Sequence, residues 1–184
     1  MKYLDLRRKV KSNLFTVLDV AKFFPAESEQ NIKIQLSRLA KKGLLTSLKR
    51  GLYCFDPQSL DELSLAGRLY SPSCVSLESA LNYYGVLPDV PQTVTSITPT
   101  TTKTIKAAGL TFAYSKIDPT LYFGYVLLAP EGFIAQKEKA LLDYFYLRKI
   151  RQTADLRLKL EGFDHSLYQK YAQSFPTWVR RIKI

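Results

Sequence analysis

Residues 28–55 read SEQNIKIQLSRLAKKGLLTSLKRGLYCF, and this stretch decides the architecture of the N-terminal third. Ser28 can cap a helix N-terminus through its hydroxyl. Ile32, Leu36, Leu39 and Ala40 then recur at the i, i+4, i+7, i+8 spacing of one apolar helix face. Gly43 supplies the stop, because a residue without Cβ accepts the left-handed conformation that ends helices. The opposite face holds Gln30, Lys33, Ile34, Ser37, Arg38 and Lys41. Leu44–Leu48 and Leu52–Phe55 follow as two strands, with Lys49-Arg50-Gly51 as their turn.

Upstream, Thr16 and Asp19 stand at capping-box spacing before VLDVAKFF, where Val17, Val20, Ala21 and Phe24 share one face. Pro25 ends that helix because its ring cannot continue the hydrogen-bond ladder. Tyr3, Leu6 and Val10 mark a further short helix. The order is helix, helix, tight turn, helix, then a hairpin with a basic tip, which predicts a winged helix-turn-helix over residues 1–56.

The chemistry of that segment points to duplex DNA. Gln, Ser, Lys and Arg can read base edges or hold phosphates in the major groove, and a basic hairpin tip suits the backbone or the minor groove. The predicted DNA-binding set is Gln30, Lys33, Ser37, Arg38 and Lys41 from the helix, with Lys49 and Arg50 from the hairpin. Ile34 would touch a thymine methyl or pack on the first helix. The competing reading is a plain solvated face, or a winged helix used for protein contacts.

Charge placement favours the polyanion. The 184-residue chain has a net charge of +11. Residues 1–56 hold 12 Lys and Arg against 5 Asp and Glu, whereas the remainder holds 15 against 11, so under a third of the chain carries most of the excess. No apolar run approaches the ~20 residues of a membrane span, and the charged N-terminus has no signal-peptide core. Cys54 and Cys74 form neither a disulfide framework nor a metal site, so the expectation is a cytoplasmic protein with reduced thiols.

Beyond a junction near residue 57, LSLAGRLY, started by Ser59 or Asp61, and VSLESALNYYG read as helices. TVTSIT, TKTIKA, LTFAYSKI and YFGYVLL are rich in β-branched and aromatic residues and predict three or four antiparallel strands. FIAQKEKALLDYFYLRK returns to helical spacing, with Ala140, Leu141, Tyr144 and Leu147 as its buried stripe, and short helices fill the tail. The fold class is therefore α+β: an N-terminal winged helix-turn-helix (1–56), then a mixed α/β domain with a small antiparallel sheet and C-terminal helices (57–184). The aromatic residues Tyr83, Tyr84, Tyr114, Tyr122, Phe123, Tyr125, Tyr144, Phe145 and Tyr146 read as core and sheet packing. The basic tail, with Arg180, Arg181 and Lys183, has no assigned role.

Catalytic patterns are weak. Neither a P-loop nor a GxGxxG nor a Cys/His metal spacing occurs, and no cofactor is implied. His165 is the single histidine and has no partner at useful spacing. Glu131, Glu138 and Asp143 could be drawn together as a carboxylate cluster for metal-assisted chemistry on nucleic acid. The simpler assignment puts Glu131 in a turn, Glu138 in a helical first turn and Asp143 on a helix surface. The reading is a non-enzyme.

The run LAGRLYSPSCVSLESALNYYGVLPDVPQTVTSITPTTTKT resembles the hallmark region of AbiEi-type antitoxins. That family shows a segment like Ser71–Pro88, then a strand like Val94–Lys103, after a winged helix ending in a strand like Gly51-Leu52-Tyr53. Tyr122-Phe123-Gly124-Tyr125 and the segment from Ile134 to Asp143 also match family patterns, although Lys137 replaces a common Pro. The resemblance extends to about Leu147. It implies an antitoxin of a type IV toxin–antitoxin (abortive infection) operon. Such a protein represses its own promoter at inverted repeats in double-stranded DNA and counters a nucleotidyltransferase toxin, for which a stable complex between the two is not required. The alternative is an antitoxin that sequesters its toxin directly, with DNA binding secondary. A monomer and a dimer formed on DNA are both compatible with the sequence.

Overall fold

Thr16 opens the helix Val17–Phe23 by a reciprocal cap. Its hydroxyl accepts from Asp19 N at 3.2 Å and the Asp19 carboxylate accepts from Thr16 N at 2.9 Å. The computed structural model in which this is seen describes residues 2–128, 132–154 and 156–184. The chain is α+β, with eight helices and nine strands among the described residues. It divides into two units, 1–61 with 107–109, and 62–106 with 110–184.

The first unit contains α1 (Tyr3–Lys9), β1 (Leu14–Thr16), α2 (Val17–Phe23), α3 (Glu29–Lys41), β2 (Thr46–Lys49) and β3 (Leu52–Cys54). Leu6, Val10, Phe15, Val20, Ile32, Leu36, Leu45 and Tyr53 form its buried core; Leu6, Val10, Val20, Ile32 and Leu36 come from the helix faces expected from spacing. Each large side chain so buried contributes about 1.5–3 kcal/mol. Ser28 Oγ accepts from Asn31 N at 3.2 Å at the start of α3. At its end, Gly43 takes φ +72, Gly43 N donates to Ala40 O and Leu44 N donates to Leu39 O. Those paired bonds are the Schellman stop.

The hairpin is shorter than predicted. Lys49 is still in strand and pairs with Leu52, leaving Arg50-Gly51 as the turn. A bulge at Leu48 tucks that side chain inward (5% exposed), between the exposed Ser47 and Lys49. β1, too short to show alternation, pairs antiparallel with β3 and makes the sheet three-stranded, in the order β1-β3-β2. The unit also runs five residues past the expected junction. Asn13 holds that extension, since its Nδ2 donates to Asp56 O (2.7 Å) and Ser59 Oγ (2.9 Å) while its Oδ1 accepts from Asp56 N (2.9 Å).

The second unit contains α4 (Glu62–Leu69), β4 (Cys74–Val75), α5 (Leu77–Tyr83), β5 (Thr93–Thr98), β6 (Lys103–Ala107), β7 (Leu110–Lys116), β8 (Tyr125–Leu127) and β9 (Phe133–Ala135). After them come α6 (Lys137–Arg148), α7 (His165–Ala172) and α8 (Thr177–Arg180). The expected small antiparallel sheet is instead a mixed sheet of six strands, ordered β6-β7-β5-β4-β9-β8. β5 and β7 run parallel from Thr93↔Thr111 to Thr98↔Lys116, and β4 and β9 are parallel at Val75↔Ile134. The tight Ala108-Gly109 turn (φ +52 and +79) joins β6 to β7, and β7 lies between β5 and β6, which leaves β6 at the sheet edge.

Helix α6 corrects a second expectation. Its burial is not a single stripe, because Glu138 through Asp143 and Phe145 are all buried while Tyr144 and Leu147 are half-buried. It packs against α5, α7 and α8. Tyr83 (56% exposed) is not core, whereas Tyr125 (37% exposed) packs on the sheet with its ring 5.2 Å from those of Tyr122 and Phe133. Tyr114 is core, and its hydroxyl donates to Ala66 O at 2.7 Å.

Candidate nucleic-acid interface

Helix α3 fixes the site because its apolar stripe is fully spent on the core. Ile32 and Leu36 have no exposure, which turns the polar residues of the other face outward. Thirteen residues span roughly 20 Å at 1.5 Å per residue. The hairpin turn stands beside this helix, tied to the start of α2 by Val17 N donating to Gly51 O at 3.2 Å.

The predicted residues converge to a large extent. Gln30, Lys33, Ile34, Ser37, Arg38, Lys41 and Arg50 line one shallow open groove, together with Gly51 and Tyr53. Lys49 is exposed on the hairpin but does not line the groove. Ile34 is 40% exposed and points into this face, not onto α1. A second depression, at the N-terminal end of α3, is lined by Val17, Leu18, Glu29, Gln30, Lys33, Arg50 and Gly51. Glu29 is the one acidic residue there, at the helix end where a negative charge complements the macrodipole.

The electrostatics are one-sided. Lys33, Arg38, Lys41 and Arg50 form no ion pair among the described residues, and no Asp or Glu lines the groove along α3. Four cations without counter-charges around an open concave surface attract an anion several phosphates long. Tyr53 and Gly51 were not singled out from sequence. Tyr53 is buried on a strand whose three residues are all buried, so alternation gave no sign of it.

No family model matches this chain, and comparison with curated proteins gives no match.

Of the three carboxylates named from sequence, Glu138 and Asp143 fall among the described residues. Glu131 lies outside the described residues. Glu138 lies in the first turn of α6, as expected, and is buried there, where it accepts from Asp164 N at 3.0 Å. Asp143, expected on a helix surface, is fully buried. It accepts from Ser76 Oγ at 2.8 Å and pairs with Lys139, itself fully buried. Burial pushes the Asp143 carboxyl above its ordinary range, and Lys139 and Ser76 pull it partly back. Lys139 also lies over the rings of Phe123 (5.0 Å) and Phe175 (5.2 Å). Both acids are thus held by internal partners. His165 begins α7 and meets Phe163 edge-on at 5.5 Å. Among the described residues no group of three His, Cys, Asp or Glu is placed to hold a metal ion. No described helix is long and apolar enough to cross a membrane.

Proposed function

We propose that the first unit is a winged helix-turn-helix that binds double-stranded DNA. In this reading α3 is the recognition helix and the β2–β3 hairpin the wing. The observation that carries it is the convergence of Gln30, Lys33, Ser37, Arg38, Lys41 and Arg50 on one open face without counter-charge. A helix about 10–12 Å across fits a major groove about 12 Å wide, and these side chains supply donors for base edges and phosphates. The exposed Ile34 adds an apolar contact for a thymine methyl.

The protein acts as the repressor and antitoxin of a type IV toxin–antitoxin operon, opposing a nucleotidyltransferase toxin. This part rests on the AbiEi resemblance of Ser71–Pro88, Val94–Lys103 and Ile134–Asp143. A mobility-shift titration on DNA from upstream of its own gene, against scrambled competitor, tests it. Specific binding that a Lys33→Ala, Arg38→Ala variant abolishes supports the proposal. Equal affinity for scrambled DNA contradicts it.

A second reading has its own observation. Tyr125, Val126 and Leu127 of the edge strand β8, with Phe133 of its neighbour β9, expose an apolar surface, and Leu127 is 72% exposed. Such an edge suits a protein partner, as in an antitoxin that holds its toxin directly. A stable one-to-one complex with the toxin on gel filtration supports that reading.

A further inference from the structure

The second unit concentrates positive charge in its last helices. Residues 144–154 and 165–184 contain seven Lys and Arg and no Asp or Glu. Two of these cations have structural partners: Arg148 is forked onto Glu78 (2.6 and 2.9 Å), and Arg180 donates to Phe175 O at 2.7 Å. Lys149, Arg151, Arg181 and Lys183 are exposed and form no ion pair among the described residues.

Three of them gather around the chain's single tryptophan. The Lys149 ammonium lies 5.5 Å and the Arg151 guanidinium 5.2 Å from the Trp178 ring centre. Tyr146 stacks beside the indole at 6.2 Å with planes 23° apart. Arg151, Thr177, Trp178, Arg181 and Ile182 line an open pocket of about 510 Å³. Fixed elements build it. Lys149 ends α6 in the left-handed conformation (φ +57), which turns the chain so that Arg151 faces α8. Val179 and Ile182 anchor α8 in the core, and Thr153 Oγ1 donates to Lys183 O at 2.9 Å.

A planar aromatic surface rimmed by guanidinium groups and a hydroxyl matches a π-faced ligand that carries phosphate. A duplex hides its base faces within the stack, whereas an unpaired base presents one. We propose that the Trp178 pocket binds single-stranded nucleic acid, with a base on the indole and the flanking phosphates on Arg151 and Arg181. The site shares no residue with the α3 face and stands or falls independently of the duplex-binding proposal.

The lone tryptophan is its own reporter. The full chain is titrated with an oligothymidylate of about eight nucleotides, within the range a single-strand groove accommodates, and indole fluorescence is followed. Saturable quenching is expected. Arg151→Ala with Arg181→Ala, both exposed and so removable without loss of the fold, weakens binding about ten-fold or more. It also lowers the salt slope by about 1.4, at 0.7 per phosphate contact on a single strand. Lys33→Ala with Arg38→Ala leaves the quenching unchanged. Absence of quenching, or quenching indifferent to the Arg151/Arg181 pair, overturns the proposal. So does equal binding by a duplex of the same length or by inorganic polyphosphate, which would make the pocket a general polyanion surface.

Discussion

Replacing Lys139 by Met removes the counter-charge of a carboxylate that has no access to water. Lys139 and Asp143 are both fully buried, one helical turn apart on α6, and Ser76 is the only other group donating to Asp143 among the described residues. The Met side chain keeps the volume and the contacts with Phe123 and Phe175, so the effect is electrostatic. Breaking a buried pair from one side costs about 3–5 kcal/mol, because one charge is left without compensation. The pH dependence gives a second handle. A carboxyl whose folded value is raised binds a proton on folding. Its contribution to stability is therefore full below its ordinary value of 3.8 and is lost as pH rises through the folded value. Without Lys139 that value rises further, so the penalty is largest at neutral pH and shrinks as the buffer is acidified. Urea denaturation of the two proteins at several pH values measures it, with Lys139→Met, Asp143→Leu as control. The double variant is expected to recover most of the loss. A penalty below about 1 kcal/mol at neutral pH, the range of exposed pairs, or one independent of pH, refutes the assignment of a buried charged pair.

Other outcomes follow from individual contacts. Thr16→Ala deletes the hydroxyl half of the α2 capping box and should cost about 1 kcal/mol in thermal denaturation. Gly124→Ala should cost about 1–3 kcal/mol in the same assay. At φ +68 an added Cβ would stand 3.1 Å from Lys139 Cγ and 3.3 Å from Tyr171 Cε2, so backbone strain and crowding act together. Burial pushes the Cys54 thiol up to about 11 and the Cys74 thiol higher still, so a disulfide reagent at neutral pH should titrate neither in the folded protein and both in urea. Reaction of either at the rate of a free peptide thiol would show that its site opens.

Local patterns were legible in the sequence, and pairings between distant segments were not. The capping residues Thr16, Ser28 and Gly43 and the stripe Ile32, Leu36, Leu39, Ala40 each act within one or two turns, so spacing revealed them. The same stripe placed Gln30, Lys33, Ser37, Arg38 and Lys41 on one face, since whatever is not buried at helical spacing lies opposite. The two-residue strand β4 and the three-residue β9 are too short to show alternation. They exist because Val75 meets Ile134 across 59 positions of chain. Parallel pairing of β5 and β7 is likewise a matter of strand order, which composition does not encode. Helix α6 misled for a chemical reason. Glu138, Lys139 and Asp143 look like surface residues, yet each is satisfied internally, and only the Ser76 and Asp164 contacts from distant segments explain their burial. Trp178 was overlooked because its cations, Lys149 and Arg151, lie in another helix terminus and loop.

The central claim concerns how many phosphates the α3 face holds, and the salt dependence of duplex binding measures that directly. Each contact with B-form DNA contributes about 0.9 to the slope of log K against log salt. Lys33→Ala, Arg38→Ala, Arg50→Ala removes three cations from the groove, so the slope is predicted to become shallower by about 2.7 relative to the unmodified protein. An unchanged slope and affinity would show that duplex DNA does not lie on this face.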